Sequence, residues 1–189
     1  MRRLFPFVLL TAVIAGCAHH AAHSGMSMSA GEHHSAAVMA DVERMKAATN
    51  AFHSIDAAVA AGYVRDVKPC IVHAGHPGAM GFHHRNAALL DGKADVEHPE
   101  LLLYERMPDG KYRFNGAEYI VQYKFWPRDT VPPVIFGQNM KQEDNFKYWY
   151  LHLWAWRDNP YGLFADFHPD VQCSDSTRTD YTPSYEKKP

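Results

Sequence analysis

Residues 70–84 pack four histidines and three glycines into fifteen positions. Neutral imidazole is the commonest protein ligand for transition metals, and glycine lets a backbone turn sharply or approach a ligand closely. A tight loop can therefore gather His73, His76, His83 and His84 at one point. The spacing matches no closed zinc-finger pattern, and for His73 and His76 the favoured reading is solvated loop histidine. Further along, alternation over residues 148–156 puts Tyr148, Tyr150, His152, Trp154 and Trp156 on one strand face. An imidazole held among aromatic rings needs a hydrogen-bond partner or a metal. Glu118 shares a face with Ile120 and Gln122, and Glu105 with Leu101 and Leu103. An ionised carboxylate on such an apolar face costs several kcal/mol unless it is paired or metal-bound.

Two imidazoles and a carboxylate make up the ligand set of open transition-metal sites. The expected ligands are His83, Glu118 and His152. His84 or Glu105 would complete the set or orient one of its members. The alternative is a Glu–His hydrogen-bonded pair that only satisfies buried polar atoms. Trp154, Trp156 and Phe164 can line an apolar ligand pocket, although packing is the commoner role of such rings.

A second group of donors lies upstream. Residues 17–34 are low in complexity and hold His19, His20, His23, Met26, Met28, His33 and His34 between small spacers. Imidazole and thioether together suit copper. The stretch has too little apolar surface to pack, so it is expected to be a flexible tether that captures or transfers metal; an incidental His-rich linker is the alternative. Before it, Arg2 and Arg3 precede an apolar run from Leu4 to Ile14, and Ile14-Ala15-Gly16 leads into Cys17. The run is too short to cross a bilayer of about 30 Å, so residues 1–16 read as a cleaved export signal. The small pair before Cys17 resembles a bacterial lipobox. That resemblance implies a lipid on Cys17, and Ala18 after it implies anchorage at the outer membrane, on the periplasmic face. A plain secretory signal is the alternative.

These chemical groups need a scaffold. Val38, Val42, Met45, Ala48, Phe52, Ile55 and Val59 recur at steps of three and four, which predicts one amphipathic helix of about 25 residues stopped by Gly62. Residues 64–100 show no clean period and read as loop. Strands are predicted at 101–106 and 111–114 around the turn Pro108-Asp109-Gly110, and at 118–126 and 148–156. Residues 127–145 read as a long loop and 174–189 as a flexible tail. The expected fold is α+β: a single domain over 35–173 in which the N-terminal helix packs on an antiparallel sheet.

The chain has 189 residues, 47% hydrophobic, enough for a true core, and its formal charge of −2 offers no electrostatic case for nucleic acid. No Ser-His-Asp pattern, phosphate loop or nucleophile elbow occurs, so there is no positive sign of hydrolytic or phosphoryl chemistry. With Cys17 assigned to the lipid, Cys70 and Cys173 remain, and in an oxidising envelope they read as one disulfide. Paired soft metal ligands are the alternative.

Several segments together resemble a family of secreted bacterial proteins and lipoproteins without an assigned activity. They are Gly78-Ala79-Met80-Gly81-Phe82-His83, Pro99-Glu100-Leu101-Leu102-Leu103-Tyr104-Glu105, Glu118-Tyr119, Phe136-Gly137, Leu151-His152-Leu153-Trp154-Ala155-Trp156, Asn159-Pro160-Tyr161-Gly162-Leu163-Phe164-Ala165 and Cys173. The resemblance spans about residues 40–173. It implies one envelope domain, and it makes His83, Glu118, His152, Cys70 and Cys173 matched positions. His84 stands where the family often has Tyr and His168 where it often has Asn, which speaks against both as primary ligands. Three functions follow: a lipid-anchored binder of copper or zinc, a metalloenzyme with an open coordination position, or a non-metal structural or ligand-binding protein.

Overall fold

A computed structural model describes residues 34–65, 70–75, 77–174 and 178–187. They belong to one compact unit, 32–189. The export segment, Cys17, His19, His20, His23, Met26, Met28, His33 and His76 lie outside the described residues.

The chain is α+β. Helix α1 (Ala36–Thr49) opens on Ser35, whose hydroxyl accepts from the Val38 N–H and satisfies one of the donors that a helix start leaves open. It buries Val38, Val42, Met45 and Thr49. The single long helix expected to reach Gly62 is broken. Asn50–His53 tightens into a 3-10 turn, and Ser54 caps a second helix, α2 (Ile55–Ala60), by accepting from Ala57. The Phe52 carbonyl is taken by the Tyr104 hydroxyl at 2.6 Å instead of continuing a helical ladder. The break swings the chain, and Val59 is left 50% exposed.

Residues 64–100, expected to be loop, contain most of three strands: β1 (Tyr63–Arg65), β2 (Cys70–His73) and β3 (Ala79–Asn86). Ala79 to His84 are all buried, so β3 shows no inside-outside alternation for a periodicity reading to find. Strand β4 (Leu101–Arg106) turns into β5 (Tyr112–Gln122), one long strand where two were expected. The presumed loop at 127–145 holds β6 (Val134–Ile135), β7 (Gln138–Asn139) and β8 (Lys141–Glu143), and β9 (Tyr148–Leu153) ends before Trp154. Within the presumed tail, β10 (Arg178–Tyr181) runs beside β2.

Among the described residues, eight strands form one sheet in the order β10-β2-β3-β4-β5-β9-β8, with β1 also on β3. All its pairings are antiparallel except β10 with β2, so the sheet is mixed. Cys70 and Cys173 are joined in a disulfide, their Cα atoms 5.5 Å apart. No helix among the described residues is long and apolar enough to cross a membrane.

Alternation along the strands sends Phe82, Leu102, Tyr104, Tyr119, Val121, Trp149 and Leu151 into the main core with Val42 and Met45 of α1. Burying each large side chain there contributes about 1.5–3 kcal/mol. The neighbouring positions belong to the other face, where Leu101, Ile120 and Tyr150 form a smaller apolar cluster. That second face carries the candidate site.

Candidate metal centre

Register brings the three expected ligands together. His83 stands opposite Leu103 between β3 and β4, Leu101 opposite Glu118 between β4 and β5, and Glu118 opposite His152 between β5 and β9. The three side chains therefore project from the same face across four adjacent strands. Two glycines let those strands close up. A Cβ on Gly116 would stand 1.9 Å from the Leu153 carbonyl oxygen, and one on Gly81, at φ +91°, would stand 2.4 Å from that of Tyr104. Each glycine lies two residues before a ligand, where strand backbones must approach without a side chain between them.

The Glu118 Oε2 atom lies 3.4 Å from His83 Nε2 and 3.9 Å from His152 Nε2. One donor atom from each of the three residues falls within 4.8 Å of the others, and all three residues are buried. The second distance is too long for a hydrogen bond, so the pairing of Glu118 with His152 as a simple hydrogen bond is not what the geometry presents. His152 is 1% exposed, and its Nε2 has no hydrogen-bond partner among the described residues. Its other nitrogen, Nδ1, is 3.2 Å from Asp166 Oδ1.

Asp166 is held as an acceptor by Lys141 Nζ at 2.7 Å and by the hydroxyls of Tyr150 and Tyr185. Burial works to raise its carboxyl pKa, but the hydrogen bond from His152, with the charge and hydrogen bond of Lys141, prevails and holds it below the usual carboxylate range. Burial first, then the charge of Asp166, pushes the Tyr150 hydroxyl well above the ordinary tyrosine range, so it stays a donor. An ionised carboxylate only accepts, so in the neutral form of His152 the ring hydrogen belongs on Nδ1 and the Nε2 lone pair is turned towards Glu118. A carboxylate–histidine pair of this kind fixes the tautomer of metal-binding imidazoles.

No protein family, curated protein or solved structure matches the chain. Function has to be read from the site. Its residues fit a metal: two imidazole nitrogens and a carboxylate oxygen converge, one of them a buried nitrogen without a partner. The buried group His83, Glu118 and His152 can hold a metal ion. A cavity of about 260 Å³ opens beside it, walled in part by Ile120, Phe146, Tyr148, Tyr150 and Tyr181.

The other candidates are placed elsewhere. His84, next to His83 on β3, points by alternation to the opposite face, where its ring packs edge-on against Tyr104. Burial, then the nearby Arg65 charge, lowers its pKa to about 4. Glu105 is taken up by Arg113 and Arg157 and by the Gln172 N–H. Neither contributes to the trio. His73 is buried, with Nε2 2.8 Å from Glu186 and Nδ1 accepting from the Gly75 N–H. His168 is bound through both ring nitrogens to the backbone of Asp158 and Asp170. His34, counted with the tether, sets its ring edge-on to Phe164. Trp154 is 2% exposed and packs with Val72, Ala79 and Val171, away from the cavity. The sequence reading missed Asp166, which does the orienting assigned to His84 or Glu105. It lies in an aperiodic loop, and its only signal was a lone acid among apolar neighbours, Phe164-Ala165-Asp166-Phe167.

Proposed function

We propose that this protein binds one transition-metal ion through His83, Glu118 and His152 and works as a lipid-anchored metal-handling protein of the bacterial envelope. One observation carries the reading: a fully buried imidazole nitrogen without a hydrogen-bond partner among the described residues, its neutral tautomer favoured by Asp166, faces a carboxylate and a second imidazole. The all-nitrogen-and-oxygen donor set suits Zn²⁺ or Cu²⁺ better than Cu⁺, which prefers sulfur. Export is supported by the Arg2-to-Cys17 pattern and by the Cys70–Cys173 bond, which belongs to an oxidising compartment. The His/Met stretch at 17–34 would hand metal to, or take it from, the fixed site.

A second reading, a metalloenzyme, is favoured by the cavity. Three protein ligands leave a coordination position free, and an ion with a free position can activate water or polarise a substrate.

Elemental analysis of the full chain tests the metal. At least one equivalent of ion is expected in the native protein and in His84→Ala, and about one equivalent less in His152→Ala and in His83→Ala. Equal metal in all four would remove the proposed site. Labelling with palmitate in an expressing bacterium tests the anchor: Cys17→Ser is expected to lose both label and membrane association.

A further inference from the structure

The cavity beside the trio has a directional build. Register sets Glu118 opposite His152, Ile120 opposite Tyr150 and Gln122 opposite Tyr148. At about 3.3 Å per residue, the four-residue span from Glu118 to Gln122 is roughly 13 Å long. The ligand trio and the Tyr148 rung therefore stand at the two ends of this span. The apolar part of the lining includes Ile71, Leu90, Leu101 and Ile120. Toward the outer end, the Phe146 ring runs nearly parallel to Tyr148, at 16° and 5.8 Å, and to Tyr181, at 20° and 6.1 Å. Among the polar groups of this wall, Tyr150 donates to Asp166, and Tyr181 donates to Glu143, which also accepts from the Ser184 N–H; Arg85 and Gln122, whose buried Oε1 has no hydrogen-bond partner among the described residues, line it too. A ring-shaped apolar body suits such walls better than a hydrated one.

Charge at the inner end is also defined. A divalent ion held by the carboxylate of Glu118 leaves one positive charge, because Asp166 is balanced by Lys141 at 2.7 Å and the other charged side chains of the lining, Glu143 and Arg85, are opposite in sign. In a buried, apolar surrounding an unbalanced charge is costly, so the open position favours a monoanion.

We propose that the cavity binds a small aryl monocarboxylate, its carboxylate oxygen taking the ion's open position and its ring lying along Ile120, Tyr148 and Tyr150. This rests on the metal reading above. The test is calorimetric titration of the full chain loaded with Zn²⁺, using benzoate, cyclohexanecarboxylate and acetate as probes. Benzoate is expected to bind at least about tenfold more tightly than acetate and a few-fold more tightly than cyclohexanecarboxylate. Metal-free protein is expected to bind benzoate at least about tenfold more weakly. Tyr148→Ala should weaken benzoate several-fold with the metal content unchanged, and Phe146→Ala repeats the measurement should Tyr148→Ala fail to fold. Equal affinity for benzoate and acetate, or benzoate binding indifferent to both metal and wall substitutions, overturns the proposal. A native chain that takes up no Zn²⁺ or Cu²⁺ is instead the failure of the metal reading, seen directly in the elemental analysis.

Discussion

At the scale of single residues, Asp166 decides what His152 is able to do. Asp166→Asn replaces an acceptor by a side chain that also donates. Its amide can present N–H to Nδ1 and so move the imidazole hydrogen to Nε2, the atom that should coordinate. Metal affinity is expected to fall about 10–100-fold, measured by competition against a chromophoric chelator on protein whose circular dichroism is unchanged. An unaltered affinity would show that Asp166 does not set the tautomer. Glu100 supports a separate prediction. Its side chain accepts from the Ile120 N–H at 3.0 Å and is 1% exposed. Burial raises its pKa from 4.5 to about 8, against the opposing pull of that N–H. The folded state therefore holds a proton that the unfolded chain has released. This stabilisation is complete below pH 4.5 and is lost as pH rises towards 8, a change of a few kcal/mol. Glu100→Gln keeps a neutral side chain at every pH. Urea midpoints at pH 5 and pH 8 should converge in the variant while those of the native chain separate; parallel behaviour contradicts the assignment.

At the scale of elements, the site exists because four strands share one register. Gly116 lies on β5 against the end of β9, and Gly116→Ala would force its Cβ against the Leu153 carbonyl oxygen. The variant is expected to lose at least about 2 kcal/mol of stability. Its metal affinity should fall too, because the displaced pair is the one that sets Glu118 opposite His152. Full retention of both would mean that the strands separate without consequence for the site. The same elements explain what the sequence could disclose. β4 was legible as a short apolar run leading into the turn Pro108-Asp109-Gly110, β9 as a run of aromatic residues, and the trio because imidazole and carboxylate on apolar faces are chemically conspicuous. β3 was not, since both of its faces are covered and its glycines mimic a loop. Treating 70–84 as loop then made His83 and His84 look able to converge, which strand alternation forbids. The helix break at Asn50 was hidden because its cause, the Tyr104 hydroxyl on the Phe52 carbonyl, is a contact across 52 residues. The role of β10 was hidden for the same reason: its partner β2 lies more than a hundred residues earlier.

At the scale of the whole molecule, the disulfide and an ion held by the proposed trio would act on the same folding equilibrium by different routes. The Cys70–Cys173 bond closes a 103-residue separation, and the chain-entropy relation puts its contribution near 4–5 kcal/mol by restricting the unfolded chain. The trio leaves the unfolded chain unconstrained. Its donors come from β3, β5 and β9, so they meet only when the sheet is complete, and an ion bound there stabilises the folded form alone. At a free-ion concentration 100 times the Kd, that linkage amounts to about 2.7 kcal/mol. For a domain of this size it corresponds to a rise in melting temperature of roughly 5–10 °C. Scanning calorimetry of the full chain with Zn²⁺ or Cu²⁺ should show this rise, its reversal by a chelator, and its loss in His152→Ala. Reduction of the disulfide should lower the midpoint of every form and leave the ion-dependent increment in place, provided the reduced chain still folds. Because the two effects separate on different variables, an increment that persists in His152→Ala would assign the stabilising ion to another place on the molecule, and the buried trio would then have to be a set of internal polar contacts.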